Sequence, residues 1–264
     1  MATWQGFGAQ ASKMRACLLN LAKFRPRILH HGRVLVTSPT PPAQLPNPFA
    51  QARFLLSAAK LTQLPQDHLA EAAFVGRSNA GKSSALNLIC QQKQLARVSK
   101  TPGRTQLINM FDLPVSAAAA TEAAPQASIR ARLVDLPGYG FAQVPLEIRR
   151  NWGLLVGGFV EKRINLRGLV VVMDIRHPMT DLDLQMLGWC EARGLAAHVL
   201  LTKADKLGHG AGKNVLLKVQ KELRELDPAM TVQTFSAHAQ TGAETAREIL
   251  TGWLEAPASG DQPV

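Results

Sequence analysis

Cysteine is scarce in this chain of 264 residues: Cys17, Cys90 and Cys190 are few, odd in number and far apart. They point to neither a disulfide framework nor a metal site, and a reducing compartment is the natural setting. Long apolar runs are missing too. The most apolar stretch, residues 168–175, falls far short of the roughly 20 residues of a membrane span, so no membrane partner is expected. Acid is absent from the first quarter. The first carboxylate is Asp67, and eight bases precede it: Lys13, Arg15, Lys23, Arg25, Arg27, Arg33, Arg53 and Lys60. Of the net charge of +11, most therefore sits in the N-terminal quarter, the remainder holding 22 Lys and Arg against 19 Asp and Glu. A basic excess suits RNA or an anionic surface, but the folded part is only mildly basic, and charge alone argues weakly for nucleic acid. No internal repeat is visible.

What is present is the composition of a soluble globular protein, 46% hydrophobic and 19% charged, long enough for one domain with tails. Residues 1–48 read as a basic extension ending in a Pro-rich run, Ser38 to Pro46. Such a run is extended or disordered. The alternatives are an organelle transit peptide and an over-long start with Met14 as initiator. Residues 49–255 form the expected domain and 256–264 a polar tail.

Within the domain, residues 51–70 read as a short helix and connector. Strands are expected at 72–75, 106–113, 129–134, 168–174, 196–201 and 231–235, and helices at 84–90, 144–163, 181–193, 213–226 and 241–254. Thr180-Asp181-Leu182-Asp183 fits a capping box. The Ala-rich stretch 114–128 is a low-complexity insertion expected to be a loop. Strands alternating with helices imply an α/β fold, a parallel sheet covered on both faces.

The strongest signal is Gly76-Arg77-Ser78-Asn79-Ala80-Gly81-Lys82-Ser83, followed by Ser84. It matches the phosphate-loop pattern G-x-x-x-x-G-K-[ST] and lies between an expected strand and an expected helix, the context the pattern needs. Its glycines let the backbone wrap a phosphate chain, and amides at a helix start point at anionic oxygens. Lys82 would reach the β- and γ-phosphates and Ser83 would hold Mg²⁺. A ligand-free Gly/Ser turn is the bland alternative.

Three later stretches favour guanine over adenine. Asp135-Leu136-Pro137-Gly138 resembles the D-x-x-G motif of GTPases, in which Asp135 would hold Mg²⁺ through water and the Gly138 amide would sense the γ-phosphate. Thr202-Lys203-Ala204-Asp205 resembles [NT]-K-x-D: a carboxylate accepts from N1–H and the exocyclic amine of guanine, and adenine offers neither donor there. Ser236-Ala237-His238 resembles the loop whose amide contacts the guanine carbonyl. Each follows an expected strand, where open α/β sheets bind ligands.

Together with Lys100-Thr101-Pro102-Gly103-Arg104-Thr105-Gln106 and Asp135-Leu136-Pro137-Gly138-Tyr139-Gly140, the phosphate loop resembles the EngB (YihA/YsxC) family of ribosome-biogenesis GTPases over about residues 48–254. The resemblance implies a P-loop NTPase fold, Ras-like, with a six-stranded mostly parallel sheet. It implies a slow GTPase that binds GTP and GDP and assists assembly of the large ribosomal subunit through rRNA and ribosomal proteins, with cell division and septation as an indirect consequence. It places switch I at residues 97–106, with Gly103, Arg104 and Thr105 near the nucleotide and Thr105 as a Mg²⁺ ligand. Switch II runs from Asp135 to about Val144. It also suggests K⁺ on Asn79, the alternative being that Asn79 only shapes the loop. A bacterial cytoplasmic monomer is implied. Two other readings are an ATP-dependent kinase, for which no Arg-rich lid is found, and a GTPase of tRNA modification or membrane remodelling, whose relatives carry large extra domains. No catalytic side chain is assigned, because Tyr139 stands where Ras-type enzymes carry a water-orienting Gln.

Overall fold

The computed structural model describes residues 47–96, 107–114, 129–140 and 146–256. Residues 1–46, the stretch 97–106 expected as switch I, residues 115–128 of the expected insertion, residues 141–145 of the expected switch II and the tail beyond 256 lie outside the described residues.

The described residues form seven strands: β1 (Arg53–Ala58), β2 (Ala70–Gly76), β3 (Ile108–Pro114), β4 (Ile129–Asp135), β5 (Leu166–Asp174), β6 (Ala196–Thr202) and β7 (Thr231–Thr234). Five helices accompany them: α1 (Lys82–Ile89), α2 (Leu146–Lys162), α3 (Asp181–Arg193), α4 (His209–Leu226) and α5 (Ala243–Glu255). One sheet orders the strands β1-β3-β4-β2-β5-β6-β7. From β4 through β2, β5 and β6 to β7 every pairing is parallel, while β1, β3 and β4 meet antiparallel.

The fold is thus α/β and mostly parallel, with seven strands in place of six. The added strand is β1, where the sequence suggested helix and connector. Its register against β3 shifts between Phe54 and Leu56. A bulge of this kind breaks the two-residue alternation by which a strand is recognised. Helix α4 begins four residues before the expected Lys213 and takes in Gly210 and Gly212. Glycine is a poor helix former, and here tertiary packing overrides propensity.

Strand β5 is buried along Gly168–Met173. That is why its Val-rich run shows no alternation, as expected of a strand covered on both faces. On one face it packs under Val156 and Phe159 of α2, Met186 and Leu187 of α3, and Val219 and Leu223 of α4. On the other, Leu86 and Ile89 of α1 and Leu250 and Leu254 of α5 close a second cluster. Fully burying each such side chain contributes about 1.5–3 kcal/mol before entropic costs. The sheet end that carries the N-terminus of β2 is pinned by charge. Arg163 grips the fully buried Glu71 through both carboxylate oxygens at 2.8 and 2.6 Å, and Arg132 bridges Asp67 and Asp112 at 2.7 and 2.8 Å. Among the described residues no helix is long and apolar enough to cross a membrane.

Candidate functional site

The opposite sheet end carries the motif residues. Gly76 is the last residue of β2 and Lys82 the first of α1, so the loop between them turns a buried strand into a helix whose free amides face outward. The turn uses the left-handed region twice, at Asn79 (φ 64°) and Gly81 (φ 98°). Gly76 answers a different need, because a Cβ there would lie 2.5 Å from the Val172 carbonyl oxygen. Asn tolerates the left-handed region better than most non-glycine residues.

Asp135 ends β4 beside β2, and its carboxylate pairs with the Lys82 ammonium. The chain beyond it stays zipped to the loop: Leu136 N–H donates to Phe74 O at 2.9 Å, Tyr139 N–H to Gly76 O at 3.2 Å, and Ser78 N–H to Tyr139 O at 2.7 Å. Pro137 O accepts from Trp152 Nε1–H of α2 at 2.9 Å. Leu136 is a core residue, and Gly138 sits against the phosphate loop, a Cβ there falling 3.3 Å from Gly76 O.

Tyr139 turns inward, 2% exposed, and packs edge-on against Trp152 with ring centroids 5.5 Å apart. Its hydroxyl donates to Asp183 Oδ1. Burial, then the neighbouring Asp183 carboxylate, pushes the phenol well above its usual range. Asp183 is the capping-box residue expected from sequence; its Oδ2 accepts from Thr180 N–H at 2.8 Å and from the Thr180 hydroxyl at 2.7 Å. Its second duty, toward Tyr139, had no sequence signal.

Thr202 ends β6, parallel to β5, and is buried. Its hydroxyl lies within donating reach of Ala80 O and, at 2.9 Å, of Met173 O, fastening the phosphate loop to the sheet. Lys203 stands in the left-handed region (φ 57°). Its ammonium donates to Asn79 O at 2.6 Å and pairs with Asp174 Oδ2 at 3.0 Å. Asp174 also takes two bonds from the Arg176 guanidinium, at 2.9 and 2.6 Å. Arg176, aided by Lys203, holds the Asp174 carboxyl well below the usual range. The sequence reading missed Asp174. Its place at the end of a parallel strand, like Asp135 and Thr202, is the signal that could have found it.

Ala204 N–H donates to Phe235 O at 3.1 Å, joining the loops after β6 and β7. There the Ser236 hydroxyl donates to Asp205 Oδ1 at 2.6 Å and accepts from Ala239 N–H at 3.0 Å. The Ser236 bond lowers the Asp205 pKa, keeping it an acceptor. Ala237 is half-buried and His238 exposed. A cavity of about 240 Å³ lies beside the phosphate loop, lined by Arg77, Ser78, Asn79, Asp174, Arg176 and Lys203 among others. The structure thus brings the phosphate loop, Asp135–Gly138, Thr202–Asp205 and Ser236–His238 to one sheet end; Gly103, Arg104 and Thr105 lie outside the described residues.

The family model for 50S ribosome-binding GTPases matches residues 71–203. Among solved structures, a probable GTP-binding protein engB aligns at TM-score 0.54 and 19% identity over 70% of this chain and 98% of its own. An Era variant from Aquifex aeolicus bound to GDP·AlF4⁻ aligns at 0.54 and 17% over 75% and 63%. A bacterial selenocysteine-specific elongation factor aligns at 0.51 and 16% over 72% of this chain and 29% of its own. At these identities the structural matches establish the fold alone.

Proposed function

This chain belongs to the 50S ribosome-binding GTPase family, and from that premise we propose that it is a GTP-dependent assembly factor for the large ribosomal subunit, of the EngB type. The observation that carries the reading is the Ser236–Asp205 bond beside the Lys203–Asn79 bond. These bonds hold an acceptor suited to guanine beside the phosphate loop, which supports the reading.

In this reading the amides of residues 76–84 cradle the phosphates, Lys82 holds the β- and γ-phosphates, and Gly138 senses the γ-phosphate. Asp205 reads the guanine edge, the Lys203 stem covers the base, and the Ser236–His238 backbone approaches its carbonyl. The residues fit Mg²⁺: the Asp135 carboxylate already meets the Lys82 ammonium, Ser83 adjoins Lys82, and carboxylate and hydroxyl oxygens are the hard donors this ion takes. When bound, Mg²⁺ supplies positive charge to the phosphate oxygens. Thr105 is the remaining proposed ligand and Asn79 a proposed ligand for K⁺.

GTP would present a surface to the pre-ribosomal particle, and hydrolysis would release it. The setting is the bacterial cytoplasm, and any effect on division follows from ribosome supply. The test is sedimentation of the purified chain with ribosomal subunits on sucrose gradients. Co-migration with the large subunit in the presence of a non-hydrolysable GTP analogue, and release in GDP, is expected; no co-migration with either nucleotide refutes the assembly role.

A further inference from the structure

Strand β1 ends the sheet and pairs only with β3 among the described residues. At its start Phe54 is 58% exposed, an unusual place for a large ring. It is not loose, since it leans edge-on against the buried Phe111 ring with centroids 6.0 Å apart at 69°. Beside it opens a depression of about 660 Å³ whose rim includes Arg53, Gln92, Lys93 and Gln94.

The floor of this depression is built. Gln92 Nε2–H donates to Ala50 O and Ala52 O at 3.0 and 2.8 Å, stitching the turn after α1 to the lead-in of β1. Asn87 of α1 donates to Ala96 O at 3.0 Å and Lys93 O at 3.2 Å and accepts from Ala96 N–H at 2.8 Å. The backbone that presents Lys93 and Gln94 is therefore held, while both side chains stay exposed.

Charge decides what such a surface suits. Neither residues 47–60 nor residues 85–96 contain an Asp or Glu. The one carboxylate of the adjoining strand β3, Asp112, is taken up by Arg132 at 2.8 Å. An exposed ring beside a cation and amide side chains, with no unpaired acid on the adjoining described strand, is the combination that binds single-stranded nucleic acid: bases stack on the ring and cations take the phosphates. A second copy of the chain fits poorly. The bulge at Leu55 disturbs the edge that another strand would need.

We infer that the surface around Phe54 is an RNA-binding site, which stacks an unpaired base on the Phe54 ring and takes a neighbouring phosphate with Lys93. The site rests on the ribosomal reading for its biological partner, but its chemistry can be tested apart from it. It lies on β1 and the turn after α1, outside the residues assigned to nucleotide.

The probe is a fluorescein-labelled twelve-nucleotide oligouridylate, measured by anisotropy against the full chain loaded with a non-hydrolysable GTP analogue. Phe54→Ala and Lys93→Glu are each expected to weaken its binding about tenfold or more, the scale of a lost stacked base. Phe54→Trp should retain it, and all three variants should bind GTP as the wild type does. Absence of oligouridylate binding by the wild type, or unchanged binding by Phe54→Ala, overturns the site. So does a Phe54→Ala effect confined to self-association in sedimentation velocity, which would make the surface a protein interface. The two readings fail separately. Oligouridylate binding that depends on Phe54, without binding to large subunits, removes the ribosomal role and keeps the site. Large-subunit binding untouched by Phe54→Ala and Lys93→Glu keeps the role and removes the site.

Discussion

The Tyr139 hydroxyl donates to the Asp183 carboxylate, so the segment that follows Asp135-Leu136-Pro137-Gly138 is tied to the first turn of α3. Tyr139 directly follows Asp135-Leu136-Pro137-Gly138, where Ras-type enzymes place the Gln that orients the attacking water. With its ring 2% exposed and its only donor engaged, Tyr139 has nothing to aim at a water. Intrinsic turnover should be slow and rise on the ribosome. Tyr139→Phe should lose about 1–3 kcal/mol of stability, because Asp183 forfeits a buried donor, yet change single-turnover hydrolysis less than about threefold, far below the 10²-fold or more that a catalytic donor commands. Denaturant melts and single-turnover assays of the same preparation decide this. A collapse of hydrolysis with unaltered stability would make the hydroxyl catalytic.

Asp205 should carry guanine specificity. Asp205→Asn is expected to weaken GTP binding by roughly 1–3 kcal/mol for the mismatched polar pair and to shift preference toward xanthine nucleotides. Ser236→Ala should cost less, about 0.5–1.5 kcal/mol, since it removes a hydrogen bond that orients the carboxylate and leaves the carboxylate in place. Calorimetric titration with GTP and XTP checks both. Unchanged GTP affinity and no gain for XTP in Asp205→Asn refute the assignment.

Lys82 is paired with Asp135. In the proposed function the ammonium turns to phosphate and the carboxylate serves Mg²⁺. Lys82→Ala should therefore abolish measurable GTP binding in a calorimeter where the wild type binds. Removing Mg²⁺ with a chelator should weaken the wild type. A wild type that binds equally with and without Mg²⁺ contradicts the role given to Asp135 and Ser83.

Stability should fall with acid above the range in which carboxylates titrate. His198 is buried in β6, its Nδ1 2.7 Å from the Thr231 hydroxyl and its Nε2 3.0 Å from Gln233 Oε1. Burial pulls its pKa from 6.5 down to about 4. Below pH 6.5 the unfolded chain takes up a proton that the folded chain refuses until about pH 4. The stabilisation is thus full above pH 6.5 and is lost as pH falls toward 4, by about 3 kcal/mol in all. Asp67, held low by Arg132, acts only below this window. Urea unfolding at pH 7.5, 6 and 5 should show a decline that His198→Gln flattens; parallel declines in the two proteins would acquit His198.

The parallel core was legible because its signals are local: an apolar run long enough for a strand, a phosphate-loop pattern, and a capping box at Thr180 that the structure contains. Strand β1 was not, since a bulge at Leu55 erases its period and the strand exists only through β3. The motif residues were legible because each sits where a strand stops. Their mutual fastening was not: Thr202 to Ala80 and Met173, Lys203 to Asn79 and Asp174, and Ser236 to Asp205 join residues that are distant in the chain. No pattern in sequence encodes which side chains meet across a sheet end.

Asn79 brings the last expectation. Its carbonyl is committed, accepting from Lys203 at 2.6 Å. Its backbone is left-handed at φ 64°, which sets the side chain on the exposed rim of the loop. Its amide oxygen is a neutral, hard ligand. Developing charge between the β- and γ-phosphates calls for a cation, the job an arginine finger does elsewhere, and Tyr139 supplies no help. GTP turnover should accordingly be faster in K⁺ than in Na⁺ at equal ionic strength, with and without large subunits, and Asn79→Ala should erase the difference while GTP affinity in Na⁺ stays the same. Equal rates in both salts remove the ion. A K⁺ stimulation that survives Asn79→Ala keeps the ion and discards this residue as its ligand.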